Sequence, residues 1–204
     1  MRHHVWIRGR AMDDTDTQKQ AQRKRKGPRK ATAKSLENAA AFYLQRFATS
    51  KENLRRVLMR RVERSVRHHG TERDEGAAFI EDVIAKFERL GYLDDTAYAE
   101  MRVRGLRGRG ASRRAINAQL RQKGLEADVI DAALAAFAEE NEEPERTAAI
   151  TAARKRRIGP FRTRGGRKEN REKDMATLAR AGFSYDTVRE IIDAETADEL
   201  EERP

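Results

Sequence analysis

Apolar residues recur along most of the chain at spacings of three and four, the period of a helix buried on one side. Leu36, Ala40, Tyr43, Leu44 and Phe47 predict a first helix from about Leu36. Ser50 is placed to cap a second, carrying Leu54, Val57, Leu58 and Val62 and ending near His68-His69-Gly70. A third buries Phe79, Ile80, Val83, Ile84, Phe87 and Leu90 and closes at Gly91. Asp94 or Asp95 then caps a helix with Tyr98, Met101 and Gly105 on one stripe and Glu100, Arg104 and Arg107 opposite. The glycines of the run 105–110 are expected to end it, since glycine is costly inside a helix. Ser112 caps the next helix, with Ile116 and Leu120 inward and Gly124-Leu125 as its stop, and Glu126 to Phe137 follows with Val129, Ile130, Leu134 and Phe137 inward.

Beyond the acidic corner at 139–145, broken by Pro144, the pattern is weaker. Ala149, Ile150 and Ala153 give a thin apolar face that ends at Gly159-Pro160. A helix from about Asn170 carries Met175 and Leu178 and stops at Gly182, and Ser184 caps a last one with Val188, Ile191 and Ile192. The acids after Asp193 read as a frayed end.

Gly91-Tyr92, Gly124-Leu125 and Gly182-Phe183 repeat one device, a glycine stop followed by an apolar plug. Setting Ser50 on Ser112 brings Leu54 onto Ile116 and Leu58 onto Leu120; setting Gly124 on Gly182 brings Leu120 onto Leu178 and Leu134 onto Ile192. With almost no period-two alternation, the fold class is all-α: three tandem three-helix repeats at 35–93, 94–140 and 145–195. Residues 1–34 lack apolar periodicity and read as a disordered basic tail, with Met12 an alternative start, and 196–204 read as an acidic tail. Units this small lean on their neighbours for stability.

Composition sharpens this picture. Hydrophobic and charged residues each make up 38% of the chain, lean for one large core and suited to an extended array. The absence of cysteine excludes disulfides and thiolate-bound zinc and fits a reducing compartment, with a cytoplasmic location expected. The net charge of +10 points to a polyanionic partner. That charge is clustered. Eight Arg or Lys and no acid lie between Met101 and Gly124, and eight acids and no base between Glu126 and Glu145.

Catalytic chemistry finds no support in the sequence. Gly105, Gly108 and Gly110 lack the Lys-Ser/Thr that completes a phosphate loop. Asp94-Asp95 is explained as a cap, Glu81-Asp82 as helix surface, and His68-His69 as helix-end chemistry rather than a metal site. No enzyme activity, cofactor or metal is expected.

The stretch Gly91 to Leu125 closely resembles the signature repeat of the RecX family, regulators of the RecA recombinase. The resemblance rests on Gly91-Tyr92-Leu93-Asp94-Asp95, Tyr98-Ala99, Arg104, Gly110, Arg114, Ile116, Leu120 and Lys123-Gly124-Leu125. Ile158-Gly-Pro-Phe-Arg162 and Gly182-Phe-Ser-Tyr185 resemble the family's third repeat. Two positions depart from the family pattern, Arg102 where an apolar residue is common and Ser112 where glycine is. The resemblance implies an elongated, curved array that binds within the groove of the RecA–DNA filament; a monomer is expected. It further implies that such binding limits strand exchange, ATP hydrolysis and co-protease activity.

Two surfaces are expected to meet the filament or its single-stranded DNA. One is Arg104, Arg107, Arg109, Arg113, Arg114, Arg121 and Lys123 of the central hairpin; the other is Arg154, Arg156, Arg157, Arg162, Arg164 and Arg167 of a flexible basic loop. A DNA-binding helical protein without RecA specificity, and a helical scaffold for another protein, stand as alternatives.

Overall fold

A computed structural model of the chain describes residues 27–202. Among these the regular structure is helical throughout: α1 (Ala33–Leu44), α2 (Lys51–His69), α3 (Arg73–Arg89), α4 (Asp95–Arg107), α5 (Arg113–Gln122), α6 (Ala127–Glu139), α7 (Pro144–Arg156), a 3-10 turn (Gly159–Phe161), α8 (Arg167–Arg180), α9 (Tyr185–Asp193) and α10 (Ala197–Glu202). The caps are those the sequence offers: Ser50, Asp94, Ser112 and Ser184 each accept a backbone N–H three residues on.

Three separate apolar clusters form. Leu36, Ala40, Leu54, Leu58, Val62, Ile80 and Phe87 gather among α1–α3; Tyr98, Val103, Ile116, Leu120, Ile130 and Leu134 among α4–α6; Leu178, Phe183, Val188, Ile191 and Ile192 among α7–α10. Helix α7 explains its own weak pattern. Ala148, Ala149, Ala152 and Ala153 are all buried, because the helix is covered by its own cluster and also by the second unit, where Gly110 comes up against Ala148 and Ala152 backbone. Small side chains on both sides permit that approach and leave no single apolar stripe to read.

Several boundaries differ from expectation. Most of the anticipated N-terminal tail lies outside the described residues, but ordered structure begins within it. Ala31 is buried and donates its N–H to Ser65 Oγ (2.9 Å), and Thr32 with Ser35 forms a capping box for α1. Helix α4 ends at Arg107 with Gly108 as its C-cap, within the glycine run as expected. The buried stripe of α4 is Tyr98, Ala99, Val103, Leu106 and Arg107, with Met101 exposed. Leu90, Phe47 and Tyr92 are also exposed, and after Gly91 the plug is Leu93 instead. At the C-terminus α10 replaces the frayed tail. Leu200, flanked by acids on both sides, is buried, and its carbonyl accepts from Arg146 (3.1 Å).

The units meet end to end, and both junctions are made the same way. Ser50 Oγ, while capping α2, donates to Lys123 O at the end of α5; Ser112 Oγ, while capping α5, donates to Ala181 O at the end of α8 (2.7 Å). One hydroxyl thus satisfies an orphan amide of one helix and an orphan carbonyl of another. Beside it, the first helical amide binds a carboxylate from the next unit: Lys51 N–H to Asp95 Oδ1 (2.9 Å), and Arg113 N–H to Glu145 Oε2 (3.1 Å). Gly124 and Gly182 sit at these contacts in the left-handed region (φ 78° and 95°). A side chain on Gly124 would overlap Glu52, and on Gly182 would lie 2.7 Å from Ser112 Oγ.

Candidate functional site

The cap at Ser112 points α5 along the second junction, so that Arg114, Asn117 and Arg121 rise on the side away from buried Ile116 and Leu120, with Arg113 at the start of the helix. With α6 and the start of α9 they enclose an open groove of about 940 Å³. Its walls are cationic and its floor includes Leu134, Ala138 and Phe183. Glu145 lies at one end, held by Arg107 and the Arg113 amide. A groove with an apolar floor and arginine rims has the chemistry to take an amphipathic acidic segment, since arginine pairs carboxylate or phosphate in a planar fork.

The remaining candidates of the central hairpin fall into different environments. Arg104 is exposed and reaches Glu140 (3.3 Å). Arg107 was expected on the surface but is only 7% exposed; it donates to Glu145 (2.5 Å) and to Ala111 O (3.3 Å), tying the second unit to the third. Arg109 is exposed in the turn after α4, and Arg113 reaches Asp131 (3.3 Å) while its amide serves the junction. Lys123 is half-buried at the α5 terminus, where its carbonyl accepts from Ser50.

The second set divides likewise. Arg154 lies over the Phe161 ring, Arg156 is exposed and donates to Ala152 O (3.2 Å), and Arg157 ends α7 in a left-handed conformation. Arg162 pairs with Asp174, a carboxylate that is almost wholly buried and also accepts the Gly159 N–H (2.9 Å). Arg164 is exposed, with its carbonyl held by Arg162 Nη1 (3.1 Å). Arg167, expected in a flexible loop, is the first residue of α8 and donates to the carbonyls of Ile192, Ala194 and Glu195 at the end of α9. Arg107, Arg162 and Arg167 therefore hold the fold together. The sequence reading also missed Asp95 and Glu145 as junction carboxylates.

Comparison with known proteins bears on what such a surface serves. A family profile described as RecX, second three-helix domain, matches residues 94–134. The regulatory protein RecX of Myxococcus xanthus (strain DK1622) is 47% identical over 180 residues, covering 88% of this chain and 95% of that protein. The chain belongs to the RecX family. The RecX protein of Agrobacterium fabrum is 30% identical over 81% of the chain and 85% of its own length. The crystal structure of RecX from Lactobacillus salivarius superposes with a TM-score of 0.59 at 23% identity, covering 83% of this chain and 96% of that one, so the helical fold is that of the RecX structures. Among the described residues no helix is long and apolar enough to cross a membrane, and no three acidic or histidine side chains stand close enough to hold a metal ion.

Proposed function

We propose that this RecX protein binds the RecA–DNA filament as a monomer and restrains it, lowering strand exchange, ATP hydrolysis and co-protease activity without catalysing a reaction. The groove between the second and third units is the surface assigned to that contact. The observation that carries the reading is the row Arg114–Asn117–Arg121, which lines the groove rim on a helix whose opposite face is fully buried. Side chains so placed reach a partner at no cost to the core. Family membership supplies the identity of the partner, and the array supplies the means: several weak contacts on linked units multiply through effective concentration.

A second reading, DNA binding without RecA specificity, draws on the net charge of +10. The experiment that separates them is RecA-dependent ATP hydrolysis on single-stranded DNA, titrated with this protein at rising salt. Phosphate contacts weaken steeply with salt. Inhibition that persists after binding to naked DNA has been lost supports the filament; inhibition and DNA binding that vanish together support the second reading.

A further inference from the structure

A second cationic surface lies on the first unit, away from either junction. Helices α1 and α2 and the segment entering α1 enclose a groove of about 500 Å³, into which Arg29, Lys34, Arg61 and Arg64 contribute charge and Phe42 a ring. No acidic residue lines it. Among the described residues Arg29, Arg61 and Arg64 have no carboxylate partner, unlike Arg55, Arg56 and Arg73 nearby, which are all paired. The segment carrying Arg29 is fixed in place: His69 Nε2–H donates to Pro28 O (2.6 Å), and the Ala31 amide is held by Ser65. Phe42 is 54% exposed on a helix whose opposite side is packed, and Arg46 lies over its ring at 4.3 Å.

We propose that this groove is a binding site for a single strand of nucleic acid, with phosphates on Arg61 and Arg64 and one base stacked with Phe42 and Arg46. Lys34 is paired with Glu37 (3.5 Å), but the unpaired charge of Arg29, Arg61 and Arg64 selects a polyanion, and a half-exposed aromatic ring selects an unstacked base over a duplex, whose bases are already stacked. A guanidinium that already lies on the ring extends the platform rather than blocking it. In the sequence, Gln18 to Lys30 contains seven Arg or Lys and no acid. This site is independent of the groove between the second and third units and requires no recombinase.

Fluorescence anisotropy of a labelled fifteen-nucleotide strand with the full-length protein, no RecA present, tests it. The variants are Phe42→Ala and the pair Arg61→Glu with Arg64→Glu; these exposed side chains leave helix content, read by circular dichroism, unchanged. The charge-reversed pair is expected to weaken strand binding tenfold or more and to reduce the slope of log affinity on log salt by about one to two. Phe42→Ala is expected to weaken the single strand about 5- to 100-fold and a duplex of the same length by less than twofold. Strand binding at wild-type strength by either variant overturns the proposal. So does an equal loss for duplex and strand in Phe42→Ala, or polyglutamate that displaces the strand at equal charge concentration. Arg114→Glu with Arg121→Glu is measured in parallel: loss of RecA inhibition there with strand binding retained shows that the two surfaces stand or fall separately.

Discussion

Asp174 is almost wholly buried and accepts three hydrogen bonds: Arg162 supplies two donors and Gly159 a backbone amide. Removing one member of such a set is costly because the other remains buried and unpaired. Asp174→Ala is therefore expected to lower stability by about 3–5 kcal/mol, read as a fall in Tm, while Arg164→Ala two residues from the partner shifts it by less than about 0.5 kcal/mol. The sequence could not separate these arginines. Arg107, Arg162 and Arg164 sit in equally basic runs, and what distinguishes them is a carboxylate 12 to 38 residues away, brought in only by the packing of helices. Exposed pairs behave differently. Glu81 receives two hydrogen bonds from Arg55, which hold its carboxyl below the ordinary value of 4.5. A depressed folded-state pKa means that the contribution is complete at neutral pH and is lost as pH falls below about 4.5 through the folded value. Urea midpoints of the wild type and Glu81→Gln should accordingly converge as pH drops through that window.

Helices are where the sequence was most legible, and for a local reason: serine, aspartate and glycine act on amides and carbonyls three or four residues away, so their effect is written beside them. Ser50, Ser112, Gly124 and Gly182 are all where their caps and stops were expected. Their second role was not legible, since it depends on which helix end arrives opposite. Ser112→Ala removes the cap on Ala115 N–H and also strands the Ala181 carbonyl, so a loss of about 2–3 kcal/mol is expected, against roughly 1 kcal/mol for Ser184→Ala, which caps without bridging. Differential scanning calorimetry of the two variants would show the contrast, and equal losses would mean that the bridge contributes nothing. The misread face of α4 has a comparable cause. Tyr98, Met101 and Gly105 satisfy a helical period as well as Tyr98, Val103 and Leu106 do, and only the neighbours decide between the two stripes.

Across the whole molecule, three small cores are joined in series, and the basic surface is divided between the groove at the second junction and the first unit. Function at this scale depends on charge that the fold has not already used. Arg114 and Arg121 have no carboxylate partner among the described residues and line the groove. Replacing both with glutamate is expected to cost on the order of 1–3 kcal/mol of filament affinity, a several-fold to hundredfold loss, with inhibition of RecA ATP hydrolysis falling in step. A folded double variant that inhibits at wild-type concentrations would move the contact elsewhere on the array.

The matched junctions set a period. At each, a hydroxyl-to-carbonyl and an amide-to-carboxylate bond join one unit to the next, so the chain uses one pattern of contact twice. On the proposed reading of filament binding, such an object would serve as a ruler. A target that repeats at a commensurate interval is met in phase by successive units, and the gain over a single contact compounds to roughly 10²–10⁴. An isolated copy of the same target meets one graduation and is released. Selectivity for a polymer over its subunit then needs no residue that tells the two apart.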